Sequence, residues 1–286
     1  MATFPDGTGV PMDGKYHVDP SCPLSSVRYL ELLYPPGVSK LISGGNTAHL
    51  GLLPDGTVLK YVHDRDDRWA KKALDVEHQI LTALGTHPRL VHYLGKHDHG
   101  LRFQYEANGD IRRYFCSTDF NIIPVQKRNE WVRQAAESIA HIHSKGVIHC
   151  DIHPNNFLLD EKMNLRLCDF AGSLFGELDG KGMESTPFFL PRDPLSTPNP
   201  KTDLFALRSV MYYIMAGREP YHGLSEDEIT ARFSRGEFPS VDEFECGQTI
   251  SGCWNRKFKS AQEVVVSLMG EADGQVSSTL HEEYRL

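Results

Sequence analysis

Between residues 38 and 60 the apolar positions fall in three short blocks, Lys40-Leu41-Ile42, His49-Leu50-Gly51-Leu52-Leu53 and Val58-Leu59-Lys60. Ser43-Gly44-Gly45-Asn46-Thr47-Ala48 and Pro54-Asp55-Gly56-Thr57 separate them. Short apolar blocks broken by Gly, Pro, Asp and Asn predict strand, turn, strand, turn, strand. Over residues 68–84 the spacing changes, and Trp69, Leu74, Ile80, Leu81 and Leu84 share one face of a helix. Residues 89–95 and 101–105 read as two further strands joined by a turn over 96–100. Residues 129–144 predict an amphipathic helix with Trp131, Ala135, Ile139 and Ile142 on its apolar face. It runs straight into Gly146-Val147-Ile148-His149. Residues 27–33 form a short apolar stretch that could serve as an edge element before Pro35-Pro36.

Composition narrows this picture. At 286 residues the chain suits one large domain or two lobes sharing a cleft. Residues 1–26, rich in Pro, Gly, Asp and Ser, hold too little apolar surface to offset the entropy of ordering and are expected to form a mobile tail. A polar tail is expected over 271–286. The net charge of -8 and the absence of a long basic run argue against nucleic acid and anionic membrane as partners. The first ten residues lack the apolar core of a signal peptide, and the aliphatic runs, such as 264–268, are too short to span a bilayer. Six cysteines without C-x-x-C spacing read as reduced thiols of a cytosolic or nuclear protein. His97 and His99 read as an exposed turn, because no Cys or acidic ligand cluster accompanies them.

The candidate chemistry lies in one stretch, His149-Cys150-Asp151-Ile152-His153-Pro154-Asn155-Asn156-Phe157-Leu158-Leu159, followed by Leu167-Cys168-Asp169-Phe170-Ala171. It puts an Asp, an Asn and a second Asp on two short loops beside apolar runs, joined by a turn at residues 161–164. Phosphoryl transfer to a hydroxyl needs such a set: one carboxylate to accept the proton, and a carboxylate with an amide oxygen to hold magnesium. The stretch resembles the H-R-D-x-x-x-x-N and D-F-G motifs of the eukaryotic protein kinase superfamily. It is most similar to small stand-alone fungal-type kinase-like proteins with H-C-D-I-H-P-N-N and D-F-A. Cys150 stands where Arg is usual, His153 where Lys is usual and Ala171 where Gly is usual.

The resemblance covers residues 38–269 and implies an α+β fold of two lobes. These are a small β-rich lobe with one helix over 27–107 and a larger helical lobe over 108–270, with ATP in the cleft. Helices over residues 226–235 and 261–269 fit the large lobe's outer shell. The resemblance implies Asp151 as catalytic base, His153 beside the transferred phosphate, and Asn156 and Asp169 as magnesium ligands. Lys60 becomes the phosphate lysine with Glu77 as its partner, Asp75 being the competitor. Residues 43–48 become a degenerate Gly-rich loop in which Gly45 matches, with Ala48 and Leu50 beside it. Phe103 walls the adenine pocket, the backbone of Gln104 to Glu106 meets adenine, and Val58 and Leu158 sandwich the ring.

Residues 169–192 become the activation segment, ending in Leu-Pro-Arg in place of A-P-E, so that its usual ion pair to a C-terminal Arg is expected to be absent. Ser185 or Thr186 could supply the hydroxyl that Ser/Thr kinases carry beside the base. Asp203 is expected to bond back to the catalytic-loop backbone, and Arg208 stands in place of a usual Gly. Three functions are compatible with these features: a Ser/Thr protein kinase using ATP and magnesium, a nucleotide-binding pseudokinase scaffold, and a small-molecule kinase, whose family also carries a His at the position of His153. The protein substrate or scaffold partner is not identified by the sequence.

Overall fold

The computed structural model describes residues 35–45, 47–64, 66–255 and 257–271. The expected N-terminal tail, the edge element at 27–33 and the C-terminal tail beyond 271 lie outside the described residues. The described chain divides into two compact units, one of residues 35–78 with 92–105 and one of residues 79–91 with 106–271.

The first unit is built on an antiparallel sheet of β1 (Lys40–Gly44), β2 (Ala48–Leu52), β3 (Thr57–Val62), β4 (Tyr93–His97) and β5 (Gly100–Gln104), in the order β1-β2-β3-β5-β4. Leu53, Leu59 and Tyr61 form a buried cluster against Val38. Gly100 is required by the close approach of β5 to β3, since a Cβ there would lie 2.0 Å from the Lys60 carbonyl oxygen. β4 starts four residues later than its spacing suggests. The backbone at 89–91 instead exchanges hydrogen bonds with Leu167, through the Val91 amide at 2.9 Å and the Arg89 carbonyl at 2.8 Å, within the second unit. The β4–β5 turn narrows to Asp98-His99 because His97 still pairs with Gly100. Among the described residues no group of three His, Cys, Asp or Glu gathers as a metal site.

Helix α1 (Arg68–Leu84) has the expected bounds. Its first turn is capped by the Asp67 carboxylate, which accepts the amides of Trp69 and Ala70. The buried stripe is Ala70, Ala73, Leu74, Glu77, Ile80, Leu81 and Leu84. Trp69 departs from the expectation and is 71% exposed. It lies about 100° around the helix from Ala70, which takes the inward position, and Lys72 covers its ring at 5.8 Å.

The second unit holds α2 (Ile111–Ser117), α3 (Val125–Ser144), α4 (Pro200–Ala216), α5 (Glu226–Ser234), α6 (Gly247–Trp254) and a further helix, α7, at residues 261–271. α3 begins four residues before its apolar pattern, because the Pro124 carbonyl accepts the Lys127 and Arg128 amides and starts the helix on polar residues. Residues 202–215 of α4 are buried all round, as a helix in the middle of a core must be. Its ends are fixed by a capping box between Asn199 and Thr202 and by Gly217 in the left-handed region at φ 69°. α2 and α6 are too short to show a periodic signature. Five short strands complete the unit: β6 (Val147–Ile148), β7 (Phe157–Leu159), β8 (Leu165–Leu167), β9 (Leu174–Phe175) and β10 (Leu178–Asp179). β7 and β8 form a hairpin, and β10, β9 and β6 a small sheet. No helix among the described residues is long and apolar enough to cross a membrane.

Candidate active site

In the first unit Lys60 lies on β3 between Leu50 of β2 and Leu101 of β5. Its Nζ meets the Glu77 carboxylate at 2.6 Å, and the Glu77 side chain is 1% exposed. Asp75 is instead exposed and contacts Lys96 at 3.3 Å. A charge buried as deeply as Glu77 is tolerated only with such a counterion. Val58 faces Phe103 directly across β3 and β5, and both are buried. The Gln104 amide donates to the His92 carbonyl at 2.9 Å, so this amide already has a partner within the unit. The loop between β1 and β2 is closed by the Gly45 amide on the Ala48 carbonyl at 2.9 Å. A Cβ on Gly45 would meet nothing within 4 Å, which leaves open space over the loop's backbone.

In the second unit β6 delivers the loop His149-Cys150-Asp151. The Asp203 carboxylate at the start of α4 is fully buried and accepts the His149 amide at 2.7 Å and the Cys150 amide at 3.0 Å. His143 Nε2 joins it at 2.9 Å, a partner that its lone position on the amphipathic pattern of α3 did not signal. These bonds hold Cys150 at φ 67°, a conformation that costs a non-glycine residue energy unless its surroundings fix it. The His149 ring donates from Nε2 to the Cys168 carbonyl at 3.0 Å, and the buried Ser173 hydroxyl donates to the His149 carbonyl at 3.0 Å. The backbones at 149–151 and 168–173 are thereby tied together. Asp169 also sits in the left-handed region, at φ 64°.

Asn156 is buried and its amide NH2 donates to the Asp151 carbonyl at 2.8 Å. That bond commits the nitrogen and leaves the amide oxygen as the group suited to a hard cation. The Asp151 side chain is 36% exposed and so reachable from solvent. His153 accepts the Asn155 amide on Nδ1 at 3.3 Å, so the neutral ring carries its proton on Nε2, which faces Asp151 Oδ2 at 3.5 Å. Leu158 of β7 lies opposite Arg166 of β8, and Glu106, with its side chain 1% exposed, contacts Arg166.

The end of the activation segment is paired in an unexpected way. Arg192 contacts Glu184 at 2.9 Å and covers the Phe189 ring at 4.2 Å. Glu184 is buried, and burial raises its carboxyl above the usual range although Arg192 opposes this. The pair lies inside the segment, and an acid eight residues from its partner leaves no signal in the sequence pattern. Arg208 is buried, donates to the Cys253 carbonyl at 2.5 Å and stacks on Phe205 at 3.9 Å, so it packs where a Gly would leave space. Burial, ahead of the Asp203 and Glu184 charges, pushes the Cys150 thiol far up, so it carries no charge toward the segment. The chain after β10 packs closely on Ala171 at Gly180, where a Cβ would lie 2.0 Å from the Ala171 carbonyl oxygen.

The chain is 30% identical over 134 residues to a probable serine/threonine-protein kinase of Dictyostelium discoideum, covering 43% of this chain and 14% of that protein. It is 26% identical over 180 residues to an Aurora kinase of Patiria pectinifera, covering 57% of this chain and 43% of that protein. A CBL-interacting protein kinase of Oryza sativa subsp. japonica is 27% identical over 159 residues, covering 52% of this chain and 30% of that protein. The chain thus spans less than half the length of these relatives. The protein kinase domain family matches residues 55–272, starting after the loop at 43–48. The chain belongs to the protein kinase domain family.

Proposed function

We propose that this chain is an ATP-dependent protein kinase that phosphorylates Ser or Thr hydroxyls of a protein substrate. The observation that carries this reading is the buried Lys60–Glu77 pair at 2.6 Å, retained together with an intact set of Asp151, Asn156 and Asp169. An ammonium held in place by a carboxylate suits phosphate oxygens, and two oxygen-bearing side chains suit magnesium. Bound magnesium-ATP would supply the phosphoryl group. Asp151 accepts the proton of the substrate hydroxyl, while Asn156, held by the Asp151 carbonyl, and Asp169 hold the metal. Gly45, Ala48, Leu50, Val58, Phe103, Leu158 and the backbone of Gln104 to Glu106 line the nucleotide's place in this reading. Cys116, Cys150, Cys246 and Cys253 are free thiols, which fits a cytosolic or nuclear location.

A nucleotide-binding scaffold with little turnover is the second reading, and His153 favours it. An imidazole whose Nδ1 is occupied by a backbone amide and whose Nε2 faces Asp151 brings less positive charge to a transferred phosphate than Lys would. Transfer of labelled γ-phosphate to a library of Ser, Thr and Tyr peptides separates the readings. Label on Ser or Thr supports the kinase reading. Binding of magnesium-ATP without label supports the scaffold, and neither binding nor label overturns both.

A further inference from the structure

Arg166 lies in the middle of β8, three residues before Asp169 and directly opposite Leu158 in the β7–β8 register. Its Nε is 3.4 Å from Glu106 Oε1, and its Nη2 is 3.4 Å from Asp160 Oδ2. These distances are longer than strong hydrogen bonds, so the contacts act through charge. The side chains are 21% exposed for Arg166, 1% for Glu106 and 12% for Asp160, so solvent screens the group weakly. Asp160 is itself fixed, accepting the amides of Lys162 at 2.9 Å and Asn164 at 2.8 Å. The segment after Glu106 is sewn to the same hairpin. Asn108 donates to the Asp160 carbonyl at 2.8 Å, Leu159 donates to the Gly109 carbonyl at 2.8 Å, and Asp110 bridges to Leu158.

We propose that Arg166 is a positioning residue for the nucleotide, holding Glu106 so that the backbone of Glu106 itself, assigned to adenine, keeps a fixed place relative to Leu158 and the strand that leads to Asp169. This rests on the kinase reading given above. The physical reason is the buried carboxylate of Glu106. With the guanidinium gone, that charge is less compensated, which favours a neutral carboxyl or a shift of the side chain and of the backbone carrying it. The loss is expected to fall on adenine recognition, because Glu106 is assigned to adenine and Lys60 and Asp169 to the triphosphate. Lys at position 166 keeps the charge but lacks the planar fork that reaches two carboxylates at once.

The test compares the full chain with Arg166→Met, Arg166→Lys and the double variant Glu106→Gln/Arg166→Met. Affinities are measured by calorimetry for magnesium-ATP, adenosine and magnesium-tripolyphosphate. Arg166→Met is expected to weaken adenosine and ATP about tenfold, which is about 1.4 kcal/mol, with tripolyphosphate changed less than about twofold. KM for ATP rises in parallel while kcat holds, and Arg166→Lys recovers part of the loss. The double variant removes the buried charge together with its counterion. It is expected to bind adenosine more tightly than Arg166→Met, and if Arg166→Met does not fold, Arg166→Lys carries the test. Unchanged adenosine affinity, or equal losses for adenosine and tripolyphosphate, overturns the proposal while leaving the kinase reading intact. Wild-type protein that binds neither ATP nor adenosine overturns both.

Discussion

Lys60 and Glu77 are each costly to bury and are kept inside by one another. Removing one partner leaves the other less compensated, and breaking a buried pair typically costs about 3–5 kcal/mol. Lys60→Met is therefore expected to lower unfolding stability by about that amount, read from urea denaturation, and to weaken nucleotide binding. Lys60→Met/Glu77→Leu should recover much of the stability and none of the binding. A single variant as stable as wild type would mean that the Glu77 charge is held by other groups. The pair was legible in the sequence because a Lys ending a strand block and a Glu on the next helix occur in the family's order. The alternative, Asp75, differs only by its place on the helix. Asp75 lies off the buried stripe and Glu77 on it, a distinction that periodicity carries once Ala70 rather than Trp69 is taken as the first inward residue. Two stacked imidazole pairs add a pH dependence at the same scale. His49 lies against His63 at 3.9 Å, and burial, with the His63 charge second, lowers its pKa to about 4. His87 and His141 stack at 3.9 Å in the second unit, and burial is the leading cause that lowers both. For His141 the bond to the Leu84 carbonyl opposes the shift. A histidine kept neutral by the fold binds its proton more readily when the chain is unfolded. The stability it contributes is therefore full above its ordinary value of 6.5 and is lost as pH falls toward 4. The melting temperature should decrease between about pH 7 and about pH 5, and His49→Phe should shrink that decrease. An equal decrease in the variant would remove His49 from the explanation.

At the scale of elements, the activation segment is closed by its own residues. Cys150 offers no charge for a phosphate, and Glu184 with Arg192 clasps the segment's end. Ser173 is buried and bonded to the His149 carbonyl, whereas Ser185 is exposed. Phosphatase treatment is expected to leave activity unchanged. Glu184→Gln should reduce it by loosening the segment, and exchanging the two charges, Glu184→Arg/Arg192→Glu, should restore part of it. Activity lost with phosphatase and regained on rephosphorylation would contradict this account. Elements with a long periodic face, α1 and α3, and strands bounded by Gly, Pro and Asp were legible in the sequence. Those set by tertiary partners were not. The backbone at 89–91 bonds to Leu167 instead of extending β4, and α2 and α6 are defined by packing rather than by pattern. The Glu184–Arg192 clasp was likewise hidden, because only the folded segment brings an acid and a base eight residues apart into contact.

At the scale of the whole molecule, the order of features along the chain carries the family assignment, and it survives departures at Cys150, His153, Ala171 and Arg192. Nucleotide binding is expected to raise stability. A ligand at a hundred times its Kd adds about 2.7 kcal/mol, a rise of roughly 5–10 °C in Tm for a chain of this size. Asp169→Ala should cancel the magnesium-dependent part of that rise, because the cation loses an anionic ligand. A wild-type Tm unmoved by millimolar ATP and magnesium would reject the nucleotide site. The most direct measurement is γ-phosphate transfer by wild type and by Asp151→Asn, compared at saturating magnesium-ATP on the same Ser/Thr peptide library. Wild type is expected to label Ser or Thr, and the variant to lose about a hundredfold or more in rate with ATP affinity nearly unchanged. Equal transfer by the two proteins would contradict this.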